Sequence, residues 1–254
     1  MISTMKRRKA AGRILAVLLA LGLWQLAAMA VNLPVLLPAP HRVLLRLGRL
    51  CLEGTTWAVV LRTTVRILAG FLSGLLLGGL AAALALRFPA IETLLWPYVA
   101  AMKSVPVASV IILILIWCSA GRLVPLIAFL MAFPILYGNL LAGLRAADPE
   151  LLEMAELFHI PWTRRLRCLY LPRLRPHLRS GCDTAMGLCW KAGVAAEVIG
   201  VVSGSIGEQL YAAKVYFQMA DLLAWTVLIV LSSAVLERLT AVLTDHLCRR
   251  WSRL

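Results

Sequence analysis

Acidic side chains are scarce in this sequence. Its 254 residues hold 12 Asp and Glu against 26 Lys and Arg, and charged residues of both signs make up only 15%. Soluble domains carry about a quarter, so an ordinary soluble fold is excluded. The common nucleotide and catalytic signatures are missing too. There is no GxxxxGK[ST] phosphate loop, no HExxH, no GxSxG and no nucleotide GxGxxG. The six cysteines (Cys51, Cys118, Cys168, Cys182, Cys189 and Cys248) form no CxxC and no zinc-type spacing with His. They read as packing or incidental residues, with Cys182 and Cys189 on a shared helix face. A disulfide between Cys51 and Cys118 would need both outside the cytoplasm.

What fills the chain is hydrocarbon: 61% of it is hydrophobic. Six apolar runs are long enough to cross a bilayer as helices, at 14–32, 65–86, 94–117, 123–141, 182–202 and 222–242. The expected fold is therefore all-α and polytopic, one transmembrane domain over 1–254, with no room for a separate soluble domain. The net charge of +14 lies largely beside these runs. That is the pattern of cytoplasmic flanks rather than of a nucleic-acid surface, so membrane lipid is an expected partner and nucleic acid is not. Lys6, Arg7, Arg8 and Lys9 precede the first run and place the N-terminus inside. The run is longer than a signal-peptide core. Arg249, Arg250 and Arg253 place the C-terminus on the same side. The loop 142–180, with Arg145, Arg164, Arg165, Arg167, Arg173, Arg175 and Arg179, is then cytoplasmic.

Several residues stand out within this frame. Val43, Leu44, Leu47 and Leu50 predict a helix lying on the outer surface, although Arg42, Arg46 and Arg49 there run against the charge rule. Gly70, Gly74 and Gly78 form overlapping GxxxG patterns that would let a neighbouring helix approach closely. Lys191 and Glu197 fall inside the fifth run, where a charge seldom faces lipid. Either they line a translocation path or meet a facing subunit, or Glu197 lies near the outer end and Lys191 snorkels. Lys103 poses the same alternatives.

The polar insert 148–172, DPELLEMAELFHIPWTRRLRCLYLP, predicts two short amphipathic helices. Asp148 caps the first and Pro149 suits its first turn. Leu151, Ala155 and Phe158 share one face. Pro161 starts the second, which places Trp162, Leu166 and Leu169 together, and Leu171-Pro172 ends it. This insert resembles the cytoplasmic coupling loop of ABC importer permeases, whose pattern is Glu-Ala-Ala, three residues, Gly, nine residues, then Ile-x-Leu-Pro. Glu153, Met154 and Ala155 stand for the first three, His159 for the Gly, and Leu169, Tyr170, Leu171 and Pro172 for the last four. Met154, His159 and Leu169 differ from the pattern. His is one of the few non-glycine types enriched at positive φ, so the turn can survive. The segment WKAGVAAEVIG…GSIGEQLYAAK looks like the fifth-span region of the nitrate, sulfonate and taurine class, and the likeness runs from about residue 60 to the end.

The resemblance implies a homodimer in a bacterial cytoplasmic membrane, with an external solute-binding protein and separate ABC ATPase subunits. ATP would be bound by that partner and no cofactor by this chain. The ATPase-docking residues would be Glu153, Ala155, Glu156 and His159. The chain would translocate a small solute by alternating access, with the solute chosen by the binding protein. The alternative is an ion-coupled secondary transporter using Lys191 and Glu197, although no internal repeat of the kind such transporters carry is visible. A membrane-embedded enzyme would need a cluster of acid–base or metal residues, and none is evident in the sequence.

Overall fold

A computed structural model describes the backbone of residues 2–33 and 35–251, and side chains for residues 12, 15–33 and 35–246. The side chains of Lys6, Arg7, Arg8, Lys9, Cys248, Arg249, Arg250 and Arg253, expected to mark the termini, lie outside the described residues. The described residues contain helices and no strand. In order these are α1 (Ile2–Val31), α2 (Pro40–Leu52), α3 (Gly54–Arg87), α4 (Pro89–Ser104), α5 (Val107–Trp117), α6 (Ala120–Arg145), α7 (Pro149–Leu157), α8 (Trp162–Arg165), a π-helical turn Leu166–Tyr170, α9 (Leu171–Gly200), α10 (Ile206–Val215) and α11 (Met219–Trp251).

Three of them are long and apolar enough to cross a membrane: Gly54–Arg87, Ala120–Arg145 and Met219–His246. Two of the other expected spans are altered. The one predicted at 94–117 is two helices, α4 and α5, bent by 105°. Pro106 is the cause. It disfavours helical geometry at the residue before it, and Val105 is extended at φ −74° and ψ 132°. Pro97 stays inside α4. The span predicted at 182–202 is the second half of α9, where Asp183, Lys191 and Glu197 dilute the hydrocarbon. The span expected at 14–32 falls in α1, whose described apolar stretch is Leu15–Val31. The second span begins well before Val65, because α3 is already helical from Gly54.

The chain divides into two compact units, Met1–Ala58 with Gln209–Ile229, and Val59–Glu208 with Val230–Leu254. In the first, α2 buries Val43 and Leu50 while Leu44 is exposed. The apolar stripe is therefore Val43, Leu47 and Leu50, narrower than the pattern predicted. Arg46 is ion-paired with Asp221 and lies 3.4 Å from Glu53. Asp221 raises its guanidinium above the ordinary value, so one of the three arginines that run against the charge rule is neutralised where it stands. Cys51 and Cys118 are free thiols.

The second unit is built on α6, with α9 along its longest shared face and α5 against both. Ile111, Ile114, Leu123, Ile127, Ala192 and Ala196 form one buried cluster. Ala82, Ala85, Val99, Phe133, Tyr137, Leu140 and Leu141 form another. Helices come this close because α3 presents glycine to α6. A Cβ added at Gly70 or Gly74 would stand 2.6 Å from the Cβ of Ala128 or Ala132, and one at Gly78 would stand 3.1 Å from the Tyr137 nitrogen. In lipid, where apolar contact alone gives little preference for protein over solvent, such backbone proximity is what dispersion forces need. Cys182 and Cys189 are both buried, and the Cys189 thiol donates to the Ala128 carbonyl at 3.1 Å.

Candidate functional site

The helix α7 is defined at both ends by its sequence. Asp148 accepts a hydrogen bond from the Glu150 N–H at 3.1 Å, capping the first turn. At the other end His159 takes φ 50°. The His159 N–H donates to the Glu156 carbonyl at 3.0 Å and the Ile160 N–H to the Ala155 carbonyl at 2.9 Å. These are the two bonds of a Schellman termination, usually closed by glycine. Histidine supplies the left-handed residue here, and Pro161 then prevents the chain from resuming the same helix. Glu153, Glu156 and His159 are exposed, whereas Ala155 is 1% exposed and faces its own chain. Leu157 and Phe158 project outward at 78% and 69% exposure. The expected face of Leu151, Ala155 and Phe158 therefore buries only its alanine.

The second part of the insert does not stop at Leu171-Pro172. The chain remains helical through α8, the π-helical turn and into α9. A proline ring clashes with the carbonyl four residues before it, which for Pro172 is that of Cys168. The π turn widens the helix at this point, with the Leu171 N–H reaching back to the Leu166 carbonyl. The part of the insert after Pro161 is thus joined to α9 by continuous helix. Arg179, on α9, donates to Asp245 at 2.8 Å, and Arg175 lies 3.8 Å from the same carboxylate, so α9 is also tied to α11.

Glu197 is 0% exposed and lines no open path in this structure. Its Oε2 accepts from the Thr63 hydroxyl at 2.9 Å and the Gly207 N–H at 3.3 Å. Its Oε1 lies 3.8 Å from the Arg66 guanidinium. Thr63 Oγ1 also accepts from the Ile206 N–H at 3.1 Å. One carboxylate and one hydroxyl thus satisfy the free donors at the start of α10 and hold α3, α9 and α10 together. A carboxylate at a helix N-terminus is favoured by the dipole. The same helix start carries a capping pair, in which the Glu208 N–H donates to Ser205 Oγ at 3.1 Å and the Glu208 carboxylate accepts from the Gly204 N–H at 2.7 Å. That Ser-x-x-Glu pattern was visible in the sequence. Thr63 and Arg66 were not, since nothing marks a single threonine in an apolar helix. Lys191 and Lys103, by contrast, are exposed.

The sequence profile of the binding-protein-dependent transport system inner membrane component family matches residues 74–253, most of the chain and all of the sites just described except Gly70, Thr63 and Arg66. This chain belongs to that family. The permease SsuC of Bacillus subtilis (strain 168), named for aliphatic sulfonate transport, is 27% identical over 223 residues, covering 87% of this chain and 79% of that protein. The taurine transport system permease protein TauC of Escherichia coli (strain K12) is 25% identical, covering 84% of this chain and 80% of its own length. The riboflavin transport system permease protein RibX of Chloroflexus aurantiacus is 27% identical, covering 91% and 89%. The chain is accordingly an integral membrane permease of the ABC importer type, similar to the sulfonate and taurine permeases. Its relatives are transport permeases rather than enzymes, and family membership decides against the ion-coupled alternative.

Proposed function

We propose that this permease carries a small solute across a bacterial cytoplasmic membrane as a homodimer. It receives the solute from an external binding protein and is worked by a separate ATPase that binds and hydrolyses ATP. The relatives are named for sulfonates, taurine and riboflavin, so solute choice is assigned to the binding protein. The observation that supports the docking role is α7. It offers Glu153, Glu156, His159, Leu157 and Phe158 on an exposed surface, while its end is fixed by a left-handed residue and its continuation is helical into α9. A push on α7 is thereby delivered to a helix that also packs along α6. Such a lever biases inward- and outward-facing states by differential contact with the ATPase.

The test replaces Glu153 with Arg and His159 with Ile, and reads ATPase co-elution in mild detergent together with solute uptake. Glu153→Arg weakens both by reversing a docking charge. His159→Ile weakens both because a β-branched residue resists positive φ, whereas His159→Gly keeps them. Wild-type association and uptake in both Glu153→Arg and His159→Ile would show that the ATPase docks elsewhere.

A further inference from the structure

Where α3 and α6 end, the second unit holds a cavity of about 360 Å³. This is within the range of small-ligand pockets, about 300–1,000 Å³. Leu86 and Leu144 come from the last turns of the two spans, and Leu166 from the π-helical turn. Trp162 and Tyr170 close the side toward the docking segment, their ring centroids 5.7 Å apart. Arg87, the last residue of α3, completes the lining. Ala83, Arg87, Trp162 and Leu166 are exposed, so the cavity opens outward rather than into the core.

Its chemistry is that of a membrane boundary. The walls are aliphatic where two apolar spans end. Two aromatic rings line it, of the types that gather at membrane interfaces, and one exposed cation completes it. Two neighbouring cations are engaged: Arg145 donates to Glu92, with one of the two bonds 2.9 Å long, and Arg165 donates to the Ile160 carbonyl at 2.7 Å. Arg87 has no carboxylate within ion-pair distance among the described residues and lies over the Phe88 ring at 5.5 Å. An apolar slot with an unmatched guanidinium at its mouth fits one kind of occupant, an acyl chain beneath an anionic head. Basic pockets between spans on the cytoplasmic side take anionic lipid headgroups.

We propose that this cavity binds one acyl chain of an anionic phospholipid of the cytoplasmic leaflet, with the headgroup at Arg87. The leaflet rests on the cytoplasmic placement of 142–180 given above. The site lies between the span ends and the helix that runs from Trp162 into α9. Its occupant therefore props the π-helical turn away from the bundle, and the permease works with its ATPase only in membranes that supply this lipid.

The full chain is purified in mild detergent and exchanged into nanodiscs of phosphatidylcholine alone or with phosphatidylglycerol, and bound lipid is read by native mass spectrometry. The wild type retains phosphatidylglycerol and not phosphatidylcholine. Arg87→Gln lowers that retention about fivefold, the worth of one arginine at a membrane surface, and Ala83→Trp abolishes it by filling the slot. Arg122→Gln, which removes an exposed arginine at the opposite end of α6, leaves it unchanged. Should Ala83→Trp fail to fold by gel filtration, Trp162→Ala takes its place and also lowers retention. Equal loss in Arg122→Gln, equal retention of both lipids, or displacement of the lipid by added ATPase would each overturn the proposal, the last by showing that protein fills the cavity. Sidedness is read separately, by impermeant maleimide on the exposed Cys168 in intact cells and inverted vesicles. A wrong leaflet and an absent site thus give different results.

Discussion

Thr63 does two jobs with one oxygen: it donates to Glu197 and accepts from the start of α10. Valine has nearly the same shape and can do neither. Thr63→Val leaves a buried N–H without its partner and removes one donor from a buried carboxylate. The expected cost is about 1–3 kcal/mol, seen as a lowered unfolding temperature of the detergent-purified permease. Thr63→Ser keeps the hydroxyl and loses less. If the Val and Ser variants unfold together with the wild type, the knot does not hold these helices. The other half of the knot was half legible. Glu197 announces itself as a charge inside an apolar run, and that oddity led to a path or an interface. Its partners lie on other helices, Thr63 and Arg66 far away in sequence, and spacing along one helix cannot reveal them. His159 is the opposite case. Its place in the coupling pattern pointed to a left-handed turn, and the chain takes that turn with histidine.

At the scale of helices, the glycine face of α3 was legible, because glycine every fourth residue lets a neighbour approach closely; that the neighbour is α6 was not. Nor was the depth of the seam between them, for periodicity gives a face but no distance. That depth separates two otherwise similar substitutions. A Cβ at Gly74 would sit 2.6 Å from the Ala132 Cβ, whereas one at Gly79 would meet only the Leu140 side chain at 3.5 Å, an ordinary contact. Gly74→Ala should therefore push α3 away from α6 and lower the unfolding temperature, at an overpacking cost of about 1–3 kcal/mol. Gly79→Ala should be neutral or mildly stabilising, since alanine is the better helix former. Matching thermal stability of the two variants would mean the seam is loose. Two of the missed elements share one physical origin, proline. Pro106 breaks a run read as one span, and Pro172 widens a helix that its position had marked as ending. Hydropathy counts carbon and does not register which carbonyl a pyrrolidine ring displaces.

On the scale of the whole permease, α9 decides how a path could form. Thr184, Leu188, Lys191, Ala195 and Ile199 are exposed at helical spacing, in one row along residues 181–200 of α9, which are otherwise half-buried or buried. A lysine in mid-membrane costs about 2.5–3.5 kcal/mol against lipid, so under the function proposed above this row would face water or a second copy of the chain rather than acyl tails. By the reading above it is one wall of a path between two copies, and that wall should be wetted. In a cysteine-depleted background, Leu188→Cys and Ala195→Cys should react with a charged, membrane-impermeant thiol reagent. Leu231→Cys and Val235→Cys, which replace exposed apolar residues of α11, should not. ATP added to the ATPase-bound permease should change the first pair of rates and not the second, because alternating access moves the wall between two aqueous phases. Lys191→Met should lower uptake while ATPase association is kept, since the lysine lies on the wall and not on the docking segment. Reaction rates at Leu188→Cys and Ala195→Cys as slow as on α11, with or without ATP, would place the row in lipid. Lys191 would then be a snorkelling side chain, and the path would have to run along another helix.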